Sequence, residues 1–96
     1  MGSSRKGRDI DSSLCQKGFL RDSSGKHVRY FLQGSEEIRT IMSHGMFGET
    51  VDAWLISQMA RQLRLTKAQF LDLIDCSLDE AAYRTILDEQ DGTVLV

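Results

Sequence analysis

Residues 18–34 restrict this chain more than any other stretch. Glycines at 18, 25 and 34 punctuate it, and His27-Val28-Arg29-Tyr30-Phe31-Leu32-Gln33 alternates in character between the last two. Successive strand side chains point to opposite faces. Val28, Tyr30 and Leu32 therefore line one face and can meet a core. His27, Arg29, Phe31 and Gln33 take the other, a titratable ring, a cation and an aromatic side chain suited to phosphates and bases. Ser23-Ser24-Gly25-Lys26 reads as the hairpin turn before this strand, with Gly25 supplying a positive φ. The first strand then spans about Phe19 to Asp22. Gly34-Ser35 turns the chain into a third strand, about Ile38 to Met42, with Ile38, Thr40 and Met42 on one face and Arg39, Ile41 and Ser43 on the other. A meander of three antiparallel strands is the simplest assembly.

Helices flank this meander. Asp9 is placed to cap a short helix through about Lys17, with Ile10 and Leu14 on one side, Gly18 ending it in a left-handed turn and Phe19 folding back on Leu14. Ser43 to Gly48 reads as a glycine-bracketed loop. A long amphipathic helix follows from near Thr50, with Val51, Leu55, Met59 and Leu63 as its stripe, widened by Trp54, Ile56 and Ala60. Trp54 is thus expected to pack against the sheet. Thr66 with Gln69 and Ser77 with Glu80 read as capping boxes opening two more helices. Gly92 is expected to stop the last, leaving Thr93 to Val96 as an apolar tail. The layout is α+β: helix, three-stranded antiparallel sheet, long helix, helical hairpin, as one domain over residues 1–96.

Composition narrows the class. With 41% hydrophobic and 27% charged residues the chain is ordinarily globular. No apolar run approaches the roughly 20 residues of a membrane span, and the polar, basic start is unlike a signal peptide, so a cytoplasmic protein without a membrane partner is expected. Met1 to Ser4 resembles an expression scar. Cys15 and Cys76 are expected as buried or half-buried free thiols. Neither they nor His27 and His44 have the spacing of a metal site, so no metal and no cofactor is expected. The net charge of −2 divides unevenly, +3 over residues 1–45 and −5 over residues 46–96. A mildly basic sheet half favours nucleic acid over the acidic helical half.

Several residues together resemble the HicA family of bacterial toxins: Leu14 with Lys17-Gly18-Phe19, then Gly25-Lys26-His27, then Thr40 and His44, with Val51 to Leu63 as a second helix. The resemblance covers about residues 9–65; residues 66–90 form an additional helical hairpin. It implies a double-stranded-RNA-binding-like fold, an mRNA-cleaving toxin of a toxin-antitoxin pair that uses the hairpin histidine, and an antitoxin-like protein partner. Lys26 stands where the family usually has serine, Val28 where a second histidine is common, and Thr66 to Glu89 has no counterpart. These departures raise the alternative of a relative that keeps the scaffold without cleavage.

The chemistry can be read beside the resemblance. Metal-independent RNA cleavage requires a group that takes a proton from the 2′-hydroxyl and one that returns a proton to the leaving 5′-oxygen, and imidazole suits both. His27 is the candidate catalytic residue of an endoribonuclease, and His44 a second acid or base if sheet register brings it close. Lys26, Arg29 and Arg21 are candidate phosphate contacts, and Phe31 a candidate stacking platform for a base. Two rivals differ in class. The acidic hairpin, residues 66–89, suits a non-catalytic interaction module that covers a partner's sheet or forms a homodimer. Residues 61–67, joining two helices, suit a helix-turn-helix that reads DNA with Lys67 and Gln69.

Overall fold

The alternating pattern at residues 27–32 becomes the central strand of a sheet whose apolar face is roofed by helices. In the computed structural model, which describes residues 4–35 and 37–95, the elements run β1 (Arg5–Lys6), α1 (Gly7–Gln16), β2 (Phe19–Asp22), β3 (His27–Leu32), β4 (Arg39–Ser43), a 3₁₀ turn (His44–Gly48), β5 (Thr50–Val51), α2 (Ala53–Gln62), α3 (Lys67–Ile74) and α4 (Glu80–Leu95). The protein is α+β. Its main sheet is antiparallel in the order β2-β3-β4, and β1 pairs with β5 in a small second sheet.

Val28, Tyr30 and Leu32 from β3, Thr40 and Met42 from β4, and Phe19 from β2 face inward and are buried. Ile10 and Leu14 of α1 meet them, as do Ile56, Met59, Ala60 and Leu63 from the second helical segment. The core then continues into α3 and α4 through Phe70, Leu73, Ile74 and Tyr83. Tyr83 is fully buried, its ring stacked on Phe19 with centroids 5.9 Å apart and its hydroxyl donating to the Leu63 carbonyl at 2.9 Å.

The segment Lys17-Gly18-Phe19 joins the helical hairpin to the sheet. Lys17 is buried and donates its ammonium to the Leu73 carbonyl at 2.8 Å. Ser13 Oγ donates to the Ile74 carbonyl at 2.7 Å. Both bond to carbonyls at the end of α3, where the regular helical ladder runs out, and the lysine charge also complements the negative helix end. Gly18 ends α1 at φ 90°, as expected, and a Cβ there would strike the Glu80 carboxylate of α4. Gly7 is equally confined, because a Cβ would run into the Met46 carbonyl of the 3₁₀ turn.

Several sequence expectations are corrected. Asp9 lies inside α1, whose first residue is Gly7 with Lys6 at the cap position. Gly25 does not take a positive φ; the β2–β3 turn is held instead by Asp22, which accepts from the Ser24 amide at 3.0 Å and hydroxyl at 2.6 Å. Residues 44–48 form a 3₁₀ turn, with Ser43 Oγ accepting from the Gly45 amide. The next helix starts at Ala53, where Asp52 caps the Leu55 amide at 2.9 Å, because Thr50 and Val51 are drawn into the β1–β5 pair. Its buried stripe is Ile56, Met59 and Ala60. Trp54, two residues before Ile56 and so about 200° round the helix, is 70% exposed rather than packed on the sheet. The Thr66–Gln69 capping box is present. The Ser77–Glu80 box is not: Ser77 and Leu78 amides bond back to the Asp72 carbonyl, and Asp79 accepts from the Ala82 amide at 2.8 Å. The backbone of α4 runs helical through Gly92 to Leu95. Glycine costs a helix only about 1 kcal/mol relative to alanine, a preference that need not stop it. Val96, the end of the expected tail, lies outside the described residues. Cys15 and Cys76 are both exposed free thiols, since Cys15 follows buried Leu14 onto the outer side of α1 and Cys76 sits in a left-handed turn at φ 68°.

Arg5 ties β1 to the end of α3 with two bonds to Asp75, at 2.8 and 2.6 Å. The hydrogen bond from Arg5, more than its charge, holds the Asp75 carboxyl below the usual carboxylate range. A depressed carboxyl stabilises the fold above its unfolded pKa and loses that contribution as pH falls through the folded value. Wild type is therefore expected to lose urea resistance between pH 5 and pH 2 more steeply than Asp75→Asn. The difference should be below about 1 kcal/mol, because the pair lies at the surface with both side chains partly exposed to solvent. Parallel midpoints for the two proteins would discount the tether.

Candidate nucleic-acid interface

The sheet register decides which side chains share the uncovered face. Leu20 pairs with Phe31 and Asp22 with Arg29 across β2 and β3; Phe31 pairs with Arg39, Arg29 with Ile41 and His27 with Ser43 across β3 and β4. Paired residues lie on one face. The outer face thus carries a row Leu20–Phe31–Arg39, a row Asp22–Arg29–Ile41 and an end row His27–Ser43. Leu20 is 54% and Ile41 42% exposed, high values for large aliphatic side chains. The helices contribute their buried residues to the opposite face, so α3 and α4 leave this surface open.

Of the sequence candidates, His27, Arg29 and Phe31 come together on this face, with Lys26 in the adjoining turn. Among the described residues, no hydrogen bond or ion pair engages the side chains of Lys26, His27, Arg29 or Arg39. Asp22 contributes an acid to the face, opposite Arg29. Its bonds from Ser24, and to a smaller degree the charge of Arg29, lower its carboxyl pKa, so it stays ionised and partly offsets that arginine.

His44 follows Ser43, the partner of His27, and so reaches the same end of the sheet. Its Nε2 lies 2.9 Å from the Gly25 carbonyl. Only a protonated nitrogen can donate to that carbonyl, which leaves Nδ1 as the free position of a neutral ring. His44 therefore braces the hairpin turn that presents Lys26 and His27.

Arg21 is not part of this surface. It shares the inner face with its partner Tyr30 and donates to both Asp11 oxygens, at 3.1 and 2.9 Å. The Tyr30 hydroxyl donates to the same carboxylate at 2.7 Å, and burial, then this bond, push the phenol pKa up. The cluster seats α1 on the sheet.

The sequence reading did not select Arg39, Leu20 and Ile41 for the site. The signal was available in the alternation of β4, which already set Arg39 and Ile41 apart from Thr40 and Met42, but register was needed to set them beside Arg29 and Phe31.

The turn between α2 and α3 passes through Arg64 in the left-handed region, φ 63°. Gln69, a candidate DNA reader there, has its side-chain oxygen committed to the Thr66 amide at 2.9 Å. No cluster of three or more potential metal ligands occurs among the described residues, and no described helix is long and apolar enough to cross a membrane. Comparison of the chain with protein-family models, curated proteins and solved structures finds no match.

Proposed function

We propose that this protein binds single-stranded RNA on the open face of its sheet and cleaves it with His27, in the manner that its resemblance to HicA toxins implies. The observation that carries the reading is the convergence, on one uncovered face, of Arg29, Arg39 and His27, whose side chains take no hydrogen bond or ion pair among the described residues, with the Phe31 ring and the exposed Leu20 and Ile41. Arginines take phosphates, rings stack on bases, and single strands leave bases free to stack. The overall acidity is no obstacle, because Glu80, Asp88 and Glu89 belong to α4 on the helical side, with Asp79 just before it, and charge is screened within about 8–10 Å at physiological salt.

In cleavage, the His27 imidazole takes the 2′-hydroxyl proton, the 2′-oxygen bonds to phosphorus, and the bond from phosphorus to the 5′-oxygen breaks. Water supplies a proton to the departing oxygen. The products are a 2′,3′-cyclic phosphate and a 5′-hydroxyl, and Lys26 and Arg29 offset charge building on the phosphate. A cytoplasmic location and an antitoxin-like partner that covers this face belong to the same proposal.

Anisotropy titrations of a fluorescent single-stranded RNA at several salt concentrations test the binding. Affinity should fall as salt rises, and the magnitude of the log–log slope should drop by about 0.7 for each phosphate contact removed, in Arg29→Ala and again in Arg29→Ala/Arg39→Ala. Absence of saturable binding by folded protein would defeat the proposal. It would leave the reading that the exposed Trp54 favours, a non-catalytic protein-interaction or dimerisation module, since a solvent-facing tryptophan is a frequent interface anchor.

A further inference from the structure

A shallow recess of about 840 Å³ lies at the end of the open face away from His27. Leu20 and Phe31, paired across β2 and β3, belong to its lining, as do Gln33, Gly34 and Ser35 of the β3–β4 turn and the Glu37 side chain. The chemistry of this recess differs from that of the strip leading to it. Among the described residues no cation lines it, and the charged group of that lining is the Glu37 carboxylate, which does not attract phosphate. Arg39 stands directly across from Phe31 and Arg29 one row further along. A bound strand would thus rest its phosphates on the arginines and turn a base onto the apolar floor.

Glu37 gives the recess a means of choosing that base. Its Oε1 accepts from Arg64 Nη2 at 3.2 Å, and its side chain is 82% exposed, so Oε2 remains open to a further donor. Carboxylates accept from exocyclic amino groups such as N4 of cytosine. Uracil presents a carbonyl at the same position, which the carboxylate opposes. Nothing lies within 4 Å of where a Cβ on Gly34 would stand, so the rim is open there to an entering ring. Phe31 lies four positions along the strand from His27, about 13 Å away. The ring and the imidazole therefore serve different nucleotides.

We infer that the Leu20–Phe31 recess is a nucleobase subsite that favours cytosine over uracil through Glu37. The inference rests on the RNA-binding proposal above and adds base selection to it. Cytidine and uridine decamers are the fitting probes, because their bases differ at the amino or carbonyl group facing Glu37. With the full chain at fixed salt, the cytidine decamer should bind about tenfold more tightly than the uridine decamer, as expected for one hydrogen bond to a charged group. Glu37→Gln, which can donate as well as accept, should erase or reverse that preference. Phe31→Ala should weaken both decamers by a similar factor, with circular dichroism confirming the fold. Equal affinity of wild type for the two decamers, with Arg29→Ala still weakening both, would overturn the subsite and leave the RNA-binding face standing. A cytidine preference that survives Glu37→Gln would likewise overturn it. No saturable binding of either decamer would remove both proposals.

Discussion

Tyr83→Ala is expected to destabilise the fold by about 3–5 kcal/mol, the usual cost of emptying a large aromatic site in a core. A 96-residue domain has on the order of 5–15 kcal/mol of stability in all, so the variant should melt far below wild type or not fold at 37 °C. The reason is the position of Tyr83 between two parts of the chain that the sequence seemed to separate. Its ring stacks on Phe19 of the sheet and its hydroxyl donates to Leu63 at the end of α2. Tyr83→Phe should cost less, about 1–3 kcal/mol for a buried carbonyl losing its donor. Thermal and urea unfolding would check both. If Tyr83→Ala melted within a few degrees of wild type, the helical hairpin would be an appendage after all.

His27→Ala is expected to reduce RNA cleavage at least about 100-fold, the lower end of what a positioned proton carrier contributes. It should leave RNA affinity within a few-fold of wild type, because Arg29, Arg39 and Phe31 remain. The exposed His27 packs in no part of the core, so its removal should leave the melting temperature unchanged. His44→Ala makes an informative companion. As a brace of the Gly25 carbonyl it should loosen the hairpin turn and lower cleavage less than His27→Ala does. Equal cleavage by wild type and His27→Ala would place the chemistry elsewhere; unequal cleavage with equal binding would place it at this ring.

The α+β layout and the two faces of β3 were legible because they depend on local signals: a period of two, a left-handed glycine at 18 and a reciprocal cap at Thr66 and Gln69. What was not legible depends on partners distant in sequence. The phase of α2 follows from Asp52 as its cap, and Asp52 takes that place because Thr50 and Val51 are recruited by Arg5 and Lys6. Without that pairing Trp54 looked like a member of the apolar stripe. Ser77 and Asp79 offer the same capping chemistry two residues apart, and the left-handed Cys76 decides between them by turning Ser77 back toward Asp72. Arg21 has the composition of a phosphate contact, but its face is fixed by its pairing with Tyr30, and Asp11 was waiting there. The candidate site itself was half visible: the residues of one strand could be sorted by alternation, whereas those of its neighbours needed register.

Among the described residues, the helices and the inner face of the sheet carry the core between them, and the outer-face side chains are not among its buried members. Substitutions at Arg29, Phe31, Arg39 or Ile41 therefore meet little resistance from folding, where changes to Phe19, Phe70 or Tyr83 meet a great deal. A lineage carrying this scaffold is free to exchange what the surface recognises, one side chain at a time, without first acquiring spare stability. The same freedom makes the face a ready substrate for directed evolution, in which a library confined to the outward positions of β2, β3 and β4 would retain a high fraction of folded members.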